Sequence, residues 1–124
     1  MVNTLTKHTR PVPLALFHNS AIPSAYTPES VDLFLEERAR VLITTLDLNQ
    51  TAETTCHIHA SKQITVLDGY AEVELPETCL KLYEGQSAHI PNGTAHRIVN
   101  FGKIPLKYVE IRTGPYVMDD DQLT

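Results

Sequence analysis

The sequence predicts an all-β domain, folded as an antiparallel sandwich or barrel. Three observations carry this reading. Short runs rich in β-branched and apolar residues recur from about residue 40 to residue 111. Turn-forming residues separate many of them, the pattern of a sandwich or barrel rather than of alternating helices and strands. A length of 124 residues supplies one such core and not two.

Residues 1–38 read as an N-terminal arm. Four of the eight prolines lie here, Pro11, Pro13, Pro23 and Pro28, which suits extended chain rather than helix interior. Thr27-Pro28-Glu29 offers a cap, a proline at the first helical position and an acidic first turn. It predicts a short helix over about 28–37, with a loop into the first long strand as the other reading. The barrel is expected over 39–124. Its strands are expected at 40–46, 54–59, 64–67, 70–75, 79–83, 87–90, 95–99 and 106–111. Asp68-Gly69, Pro76-Glu77, Glu84-Gly85, Pro91-Asn92-Gly93 and Phe101-Gly102 punctuate these runs. Asp-Gly between two strand-like segments reads as a hairpin.

Composition narrows the function classes. Hydrophobic residues make up 42% and charged residues 20%, a globular balance, and the formal net charge is -5. No stretch clusters Lys and Arg, so nucleic-acid binding is not expected. No apolar run approaches the ~18 residues of a membrane span. Residues 1–10 lead into no apolar signal segment, which predicts a cytoplasmic protein. Cys56 and Cys79 form no CxxC pair and are expected to be free thiols. Cys56 falls on the face opposite His57 and is expected to pack rather than to ligate.

Two motifs carry chemistry. In His57-Ile58-His59 the imidazoles would share one face of a strand, close enough to converge on an ion at ~2.1 Å from each nitrogen. Gly85, Pro91, Gly93, His96 and Asn100 follow the spacing G-x5-P-x-G-x2-H-x3-N. At ordinary usage the two glycines and the proline alone would align about once in several thousand positions. The glycines and the proline permit tight turns, after which His96 can face the same cavity as His57 and His59.

These two motifs resemble those of the cupins. The stretch from His96 to Leu106, with Val109 to Tyr116 and Asp119 to Asp121, is similar to the C-terminal domain of type II mannose-6-phosphate isomerases. The resemblance runs from about residue 40 to residue 121. It implies a single-domain double-stranded β-helix (jelly-roll) barrel, a divalent metal ion (Zn, Mn, Fe, Co or Ni) and a homodimer. Many relatives carry a sugar-nucleotide transferase domain that this sequence lacks, so nucleotidyl transfer is not expected. Three positions depart from the family pattern: Thr55 replaces a glutamine, Ala60 an arginine, and the metal-binding glutamate falls at Lys62 or, by the looser cupin spacing, at Gln63.

The candidate metal ligands are therefore His57, His59, Gln63 and His96, and the candidate catalytic residues Lys62 and Arg97. If Lys62 points inward, its cation opposes a divalent ion; if Gln63 does, its carbonyl oxygen is a neutral ligand. Two functions remain open. One is a metal-dependent sugar-phosphate isomerase, with Lys62 as the base that moves a proton between adjacent carbons. The other is a non-catalytic or regulatory domain that binds a small molecule without metal. Asp119 to Asp121 reads as a solvated tail.

Overall fold

The computed structural model describes residues 29–52 and 54–121. Every regular element among them is a strand. In chain order they are β1 (Glu29–Glu36), β2 (Ala39–Leu46), β3 (Ser61–Asp68), β4 (Ala71–Glu74), β5 (Cys79–Leu82), β6 (Ser87–Ile90), β7 (Arg97–Val99) and β8 (Leu106–Thr113). They form a five-stranded sheet ordered β1-β2-β8-β3-β6 and a three-stranded sheet ordered β5-β4-β7. All pairings are antiparallel. The all-β barrel expected from the sequence is the fold observed.

The two sheets face each other across a core that includes Leu46, Ile64, Val73, Ile90, Leu106 and Tyr108. The inner face of the large sheet is graded along its strands. At one end Leu46 pairs with Leu106, and next Thr44, Tyr108 and Val66 lie in register. Then come Leu42, Glu110 and Ile64, and last Arg40, Arg112 and Lys62. Period-two alternation places all of these inward, and all are buried. The barrel is thus apolar at one end and charged at the other. The candidate site is at the charged end.

The turn residues do a different job from the one expected of Asp68-Gly69. β3 belongs to the large sheet and β4 to the small one, so this turn is a corner between sheets and not a hairpin. Gly69 has φ 91°, and a side chain there would press on the Pro105 carbonyl at 3.0 Å. Gly85, Gly93 and Gly102 mark the other crossings between sheets. Pro76-Glu77, by contrast, closes a true hairpin between β4 and β5, with Leu75 N donating to Thr78 O at 2.8 Å.

Two expected elements differ. Residues 29–36 form a strand paired with β2 rather than a helix. Val31, Leu33 and Leu35 recur at every second position, and the partner strand begins after only two residues, Glu37 and Arg38. A ladder closed by so short a loop outcompetes an isolated helix of two turns, whose nucleation is unfavourable. The barrel therefore includes residues 29–38, which the sequence assigns to the arm; residues 1–28 lie outside the described residues. Residues 54–59 make no regular strand. Their ladder is reduced to one bridge between Thr55 and His96, and the chain bends at Ile58 and His59.

Asn100 closes the spacing motif as a structural residue. It is fully buried, and its amide NH2 donates to Leu46 O, Asp47 O and Ile104 O at 3.0–3.2 Å while its Oδ1 accepts from Gly102 N at 2.9 Å. The side chain ties the end of β2 to the β7–β8 corner. Asn100→Leu leaves the buried Leu46 carbonyl without its partner and removes the bonds to Asp47 O, Ile104 O and Gly102 N, so we expect a loss of about 1–3 kcal/mol of stability, read by urea unfolding. An unchanged midpoint would remove this role.

Candidate functional site

The site lies in the charged end of the barrel, beside a cavity of about 120 Å3 whose lining includes Thr55, Lys62, His96, Glu110 and Arg112. Lys62 enters from β3 and His96 stands immediately before β7. Glu110 and Arg112 come from β8.

Both buried histidines are held in one tautomer by carbonyl groups. His96 Nδ1 donates to Thr94 O at 3.0 Å, and His57 Nδ1 to Asp121 O at 3.1 Å. A carbonyl only accepts, so each neutral ring keeps the lone pair on Nε2. The His96 Nε2 accepts from Lys62 Nζ at 2.8 Å and from Thr55 Oγ1 at 3.0 Å. The His57 Nε2 is buried and has no hydrogen-bond partner. The two rings are 6.2 Å apart between centroids.

His59 is elsewhere. Its backbone N–H donates to both Asp121 carboxylate oxygens, at 2.9 and 3.1 Å, and its Nδ1 contacts Asp121 Oδ1 at 2.8 Å. Its side chain is 59% exposed, whereas that of Asp121 is 1% exposed. The expected shared face of His57 and His59 requires straight strand geometry. The bend at 58–59, pinned by Asp121, turns the second imidazole away from the first.

The remaining polar groups form one chain of charges. Lys62 Nζ lies 3.5 Å from Glu110 Oε2, which accepts from Arg112 Nε at 2.5 Å. Arg112 Nη1 donates to Asp119 Oδ1 at 2.8 Å, and the same oxygen accepts from Arg40 Nη1 at 3.0 Å. Arg40 then meets Asp32 at 2.7 and 3.2 Å. Three cations are matched by three carboxylates, as burial demands. Burial works against the Glu110 carboxylate, but Lys62 and Arg112 override it and hold the group down at about 2. Burial lowers the Lys62 ammonium from its ordinary value, opposed by Glu110. Burial, with Lys62 adding repulsion, lowers both histidines, His57 to about 4.

Of the residues singled out from the sequence, the structure brings His57, Lys62 and His96 together. Gln63 follows Lys62 on the strand and faces the other side of the sheet, where it lines a separate groove with Lys81 and Gln86. Arg97 pairs with Glu74 across β7 and β4 at 2.6 Å. As placed, these donors do not fit a divalent ion. His96 Nε2 is already bonded to an ammonium, His59 is turned to Asp121, and among the described residues no three His, Cys, Asp or Glu side chains converge.

The comparisons with known proteins bear on the family and the fold. Residues 24–124 match the family model described as mannose-6-phosphate isomerase C-terminal. The chain belongs to this family. Among relatives, a xanthan biosynthesis protein XanB of Xanthomonas campestris is 37% identical over 93 residues, covering 75% of this chain and 20% of that protein. A mannose-1-phosphate guanylyltransferase of Sinorhizobium fredii is 45% identical over 65 residues, covering 52% of this chain and 13% of that protein. The chain thus spans a fifth or less of the length of these relatives. Among solved structures, a double-stranded β-helix protein from Klebsiella pneumoniae superposes with a TM-score of 0.68 at 20% identity, covering 87% of this chain and 92% of that one. A cupin-superfamily sugar phosphate isomerase from Silicibacter pomeroyi gives 0.64 at 18% identity, covering 74% and 68%. These likenesses establish the cupin fold.

Sequence reasoning missed Arg40 and Glu110, and it took Asp121 for a solvated tail residue. A signal existed for the first two. In the alternating pattern of β2 and β8 charged residues fall at inward positions, Arg40 in the first and Glu110 with Arg112 in the second. Asp121 carried no such signal, because its burial depends on the path of the chain after β8.

The lowered His57 value has a sign that can be checked. A histidine whose folded value lies below the unfolded 6.5 must stay neutral in the fold. Its contribution is complete above pH 6.5 and is lost as pH falls through about 4. The full shift corresponds to roughly 3 kcal/mol. Melting temperature should therefore fall between pH 6.5 and 4 in the native protein, and His57→Gln should flatten that limb. Equal slopes in both proteins would remove His57 as the cause.

Proposed function

We propose that this domain binds a small sugar-like phosphorylated molecule in its interior, with the Lys62 ammonium serving in place of a metal ion. The observation that carries the reading is the 2.8 Å bond from Lys62 Nζ to the His96 lone pair, deep in the barrel beside the cavity. The ammonium stands beside the imidazole nitrogen that a metal would need. A cation there can donate to hydroxyl or carbonyl oxygens of a ligand, with Glu110 and Thr55 as further polar partners. Membership of the mannose-6-phosphate isomerase C-terminal family and the sugar phosphate isomerase among the structural neighbours support a sugar phosphate as the ligand class.

A second reading keeps a divalent metal and isomerase turnover. It is favoured by His57 Nε2, a buried lone pair with no partner. The two readings separate in one experiment. Mannose 6-phosphate is titrated into chelator-treated protein by calorimetry. The proposal expects binding to survive the chelator and to weaken about tenfold or more in Lys62→Met, which loses a charge-assisted contact. Binding that vanishes with chelator and returns with zinc or manganese would establish the metal reading instead.

The Lys62 slot also yields a gain-of-function prediction. Lys62→Glu replaces a repelling cation by an anionic oxygen ligand, and we expect divalent affinity to rise by about one to two orders of magnitude. Gln63→Glu, on the other face of β3, is the control and should change nothing.

We further propose that the protein is a homodimer formed through the outer face of the large sheet. Val31 pairs with Ile43 and Phe34 with Val41, and these continue to Val109 and Ile111 on β8. Val31 and Phe34 are half exposed on an edge strand, a surface that a second copy would cover. Light scattering of the full chain should give a dimer at tens of micromolar, and Phe34→Glu a monomer. A monomeric native protein would defeat the proposal.

A further inference from the structure

Arg40, Arg112 and Lys62 stand abreast on β2, β8 and β3, linked by the register Arg40↔Arg112↔Lys62. All three are buried. Adjacent strands are about 4.8 Å apart, so the inner face presents a row of three cations within roughly 10 Å. Such a row is costly unless each charge is matched.

Two of the three matching carboxylates are built into strands. Glu110 is buried on β8 between Lys62 and Arg112, and Asp32 sits on β1 against Arg40. The third comes from outside the barrel. Asp119 lies in the segment after β8, its side chain is 68% exposed, and a single oxygen bridges both guanidinium groups. Met118 and Asp120 on either side are also exposed. Beyond them the segment is anchored by buried Val117 and buried Asp121, and Asp120 itself accepts from the Tyr116 hydroxyl. Asp119 therefore rides the crest of a short turn, closed by Asp121 N donating to Met118 O at 3.1 Å.

We propose that Arg40 and Arg112 form an anion seat at the rim of the cavity, filled in the unliganded protein by the Asp119 carboxylate and taken over by the phosphate or carboxylate of an incoming small molecule. Three observations support displacement. With Asp119 withdrawn, the row of three cations faces two carboxylates and has one charge in excess. Arg112 stays oriented without Asp119, because Glu110 Oε2 and Val117 O still accept from it at 2.5 and 3.3 Å. Arg112 also lines the cavity that Lys62 and His96 share, so an anion held there places the rest of its molecule in the interior. Arginine suits such a seat because its planar fork presents parallel donors to two oxygens. The departing Asp119 needs no new partner, since most of its surface already faces water.

This inference deepens the ligand-binding reading by naming where the anionic group is held, and it uses inorganic phosphate as the probe, so that the two can fail separately. Phosphate is titrated into the full chain at constant ionic strength set with chloride, by calorimetry or amide chemical shifts. Asp119→Asn removes the competing charge from a mostly exposed position. It should tighten phosphate binding about tenfold, the factor by which a self-occupied site taxes its ligand when about nine-tenths filled. Adding Arg112→Gln or Arg40→Gln to that variant should abolish the gain, with melting curves confirming that the proteins are folded. Two single-arginine backgrounds are used so that an unfolded one leaves the other to decide. Phosphate affinity unchanged in Asp119→Asn, or a gain that survives loss of both arginines in turn, overturns the seat. If the gain appears but mannose 6-phosphate does not bind, the seat stands and the sugar-phosphate reading falls.

Discussion

The contact on which the site depends is the one between the Lys62 ammonium and the Glu110 carboxylate, buried side by side on neighbouring strands. An ammonium in the interior of a barrel is tolerated only with an anion beside it. An anion there needs its own donors. Glu110 meets that need by accepting from Arg112 as well, and Arg112 in turn draws in Asp119 and, through it, Arg40. One inward-pointing lysine thus accounts for a chain of charges that joins β3, β8 and β2 through Asp119 in the segment after β8 and ends at Asp32 on β1. The same ammonium donates to His96 and, with burial, keeps that imidazole neutral.

The segment after β8 is correspondingly more than a trailing end. Gly114, with φ 152°, lets it pass so close to residue 59 that a side chain would collide with the His59 carbonyl at 2.1 Å. Asp121 then fastens the bend at 57–59, using its backbone carbonyl for His57 and its carboxylate for His59. The positions of both histidines are therefore decided by a residue more than sixty positions away. Membership of the mannose-6-phosphate isomerase C-terminal family places these features on a known scaffold. Inside the barrel, the inward position of β3 that faces His96 is held by Lys62.

Much of the fold was legible in the residue pattern. Short β-branched and apolar runs between turn residues located seven of the strands within a few residues of their observed bounds. Where the pattern misled, the reason was competition between local and distant contacts. Residues 28–37 carry a helix-start signature, yet β2 follows after only Glu37 and Arg38 and captures the segment as a strand. Residues 54–59 are strand-like in composition, but only Thr55 finds a bridging partner, and the remainder bends. Asp68-Gly69 was legible as a turn and not as a corner, because the local chemistry of a tight turn is the same in both.

The sequence by itself determined an all-β barrel, the spacing of its turn glycines, and the presence of His57, Lys62 and His96 at positions where a cupin-like cavity would gather them. The first two follow from short-range rules of residue preference and backbone freedom, the third from the resemblance to the cupin motifs. Only the tertiary structure decided that Lys62 points inward and Gln63 outward, that His59 leaves the cavity, and that Arg40, Glu110 and Arg112 belong to the site. Each of these depends on which strands become neighbours and in what register, and on where Asp119 and Asp121 return to the barrel. Charge pairing between residues far apart in the chain is invisible to local pattern. It is settled when packing brings the groups into a common low-dielectric interior, where every charge must find its opposite.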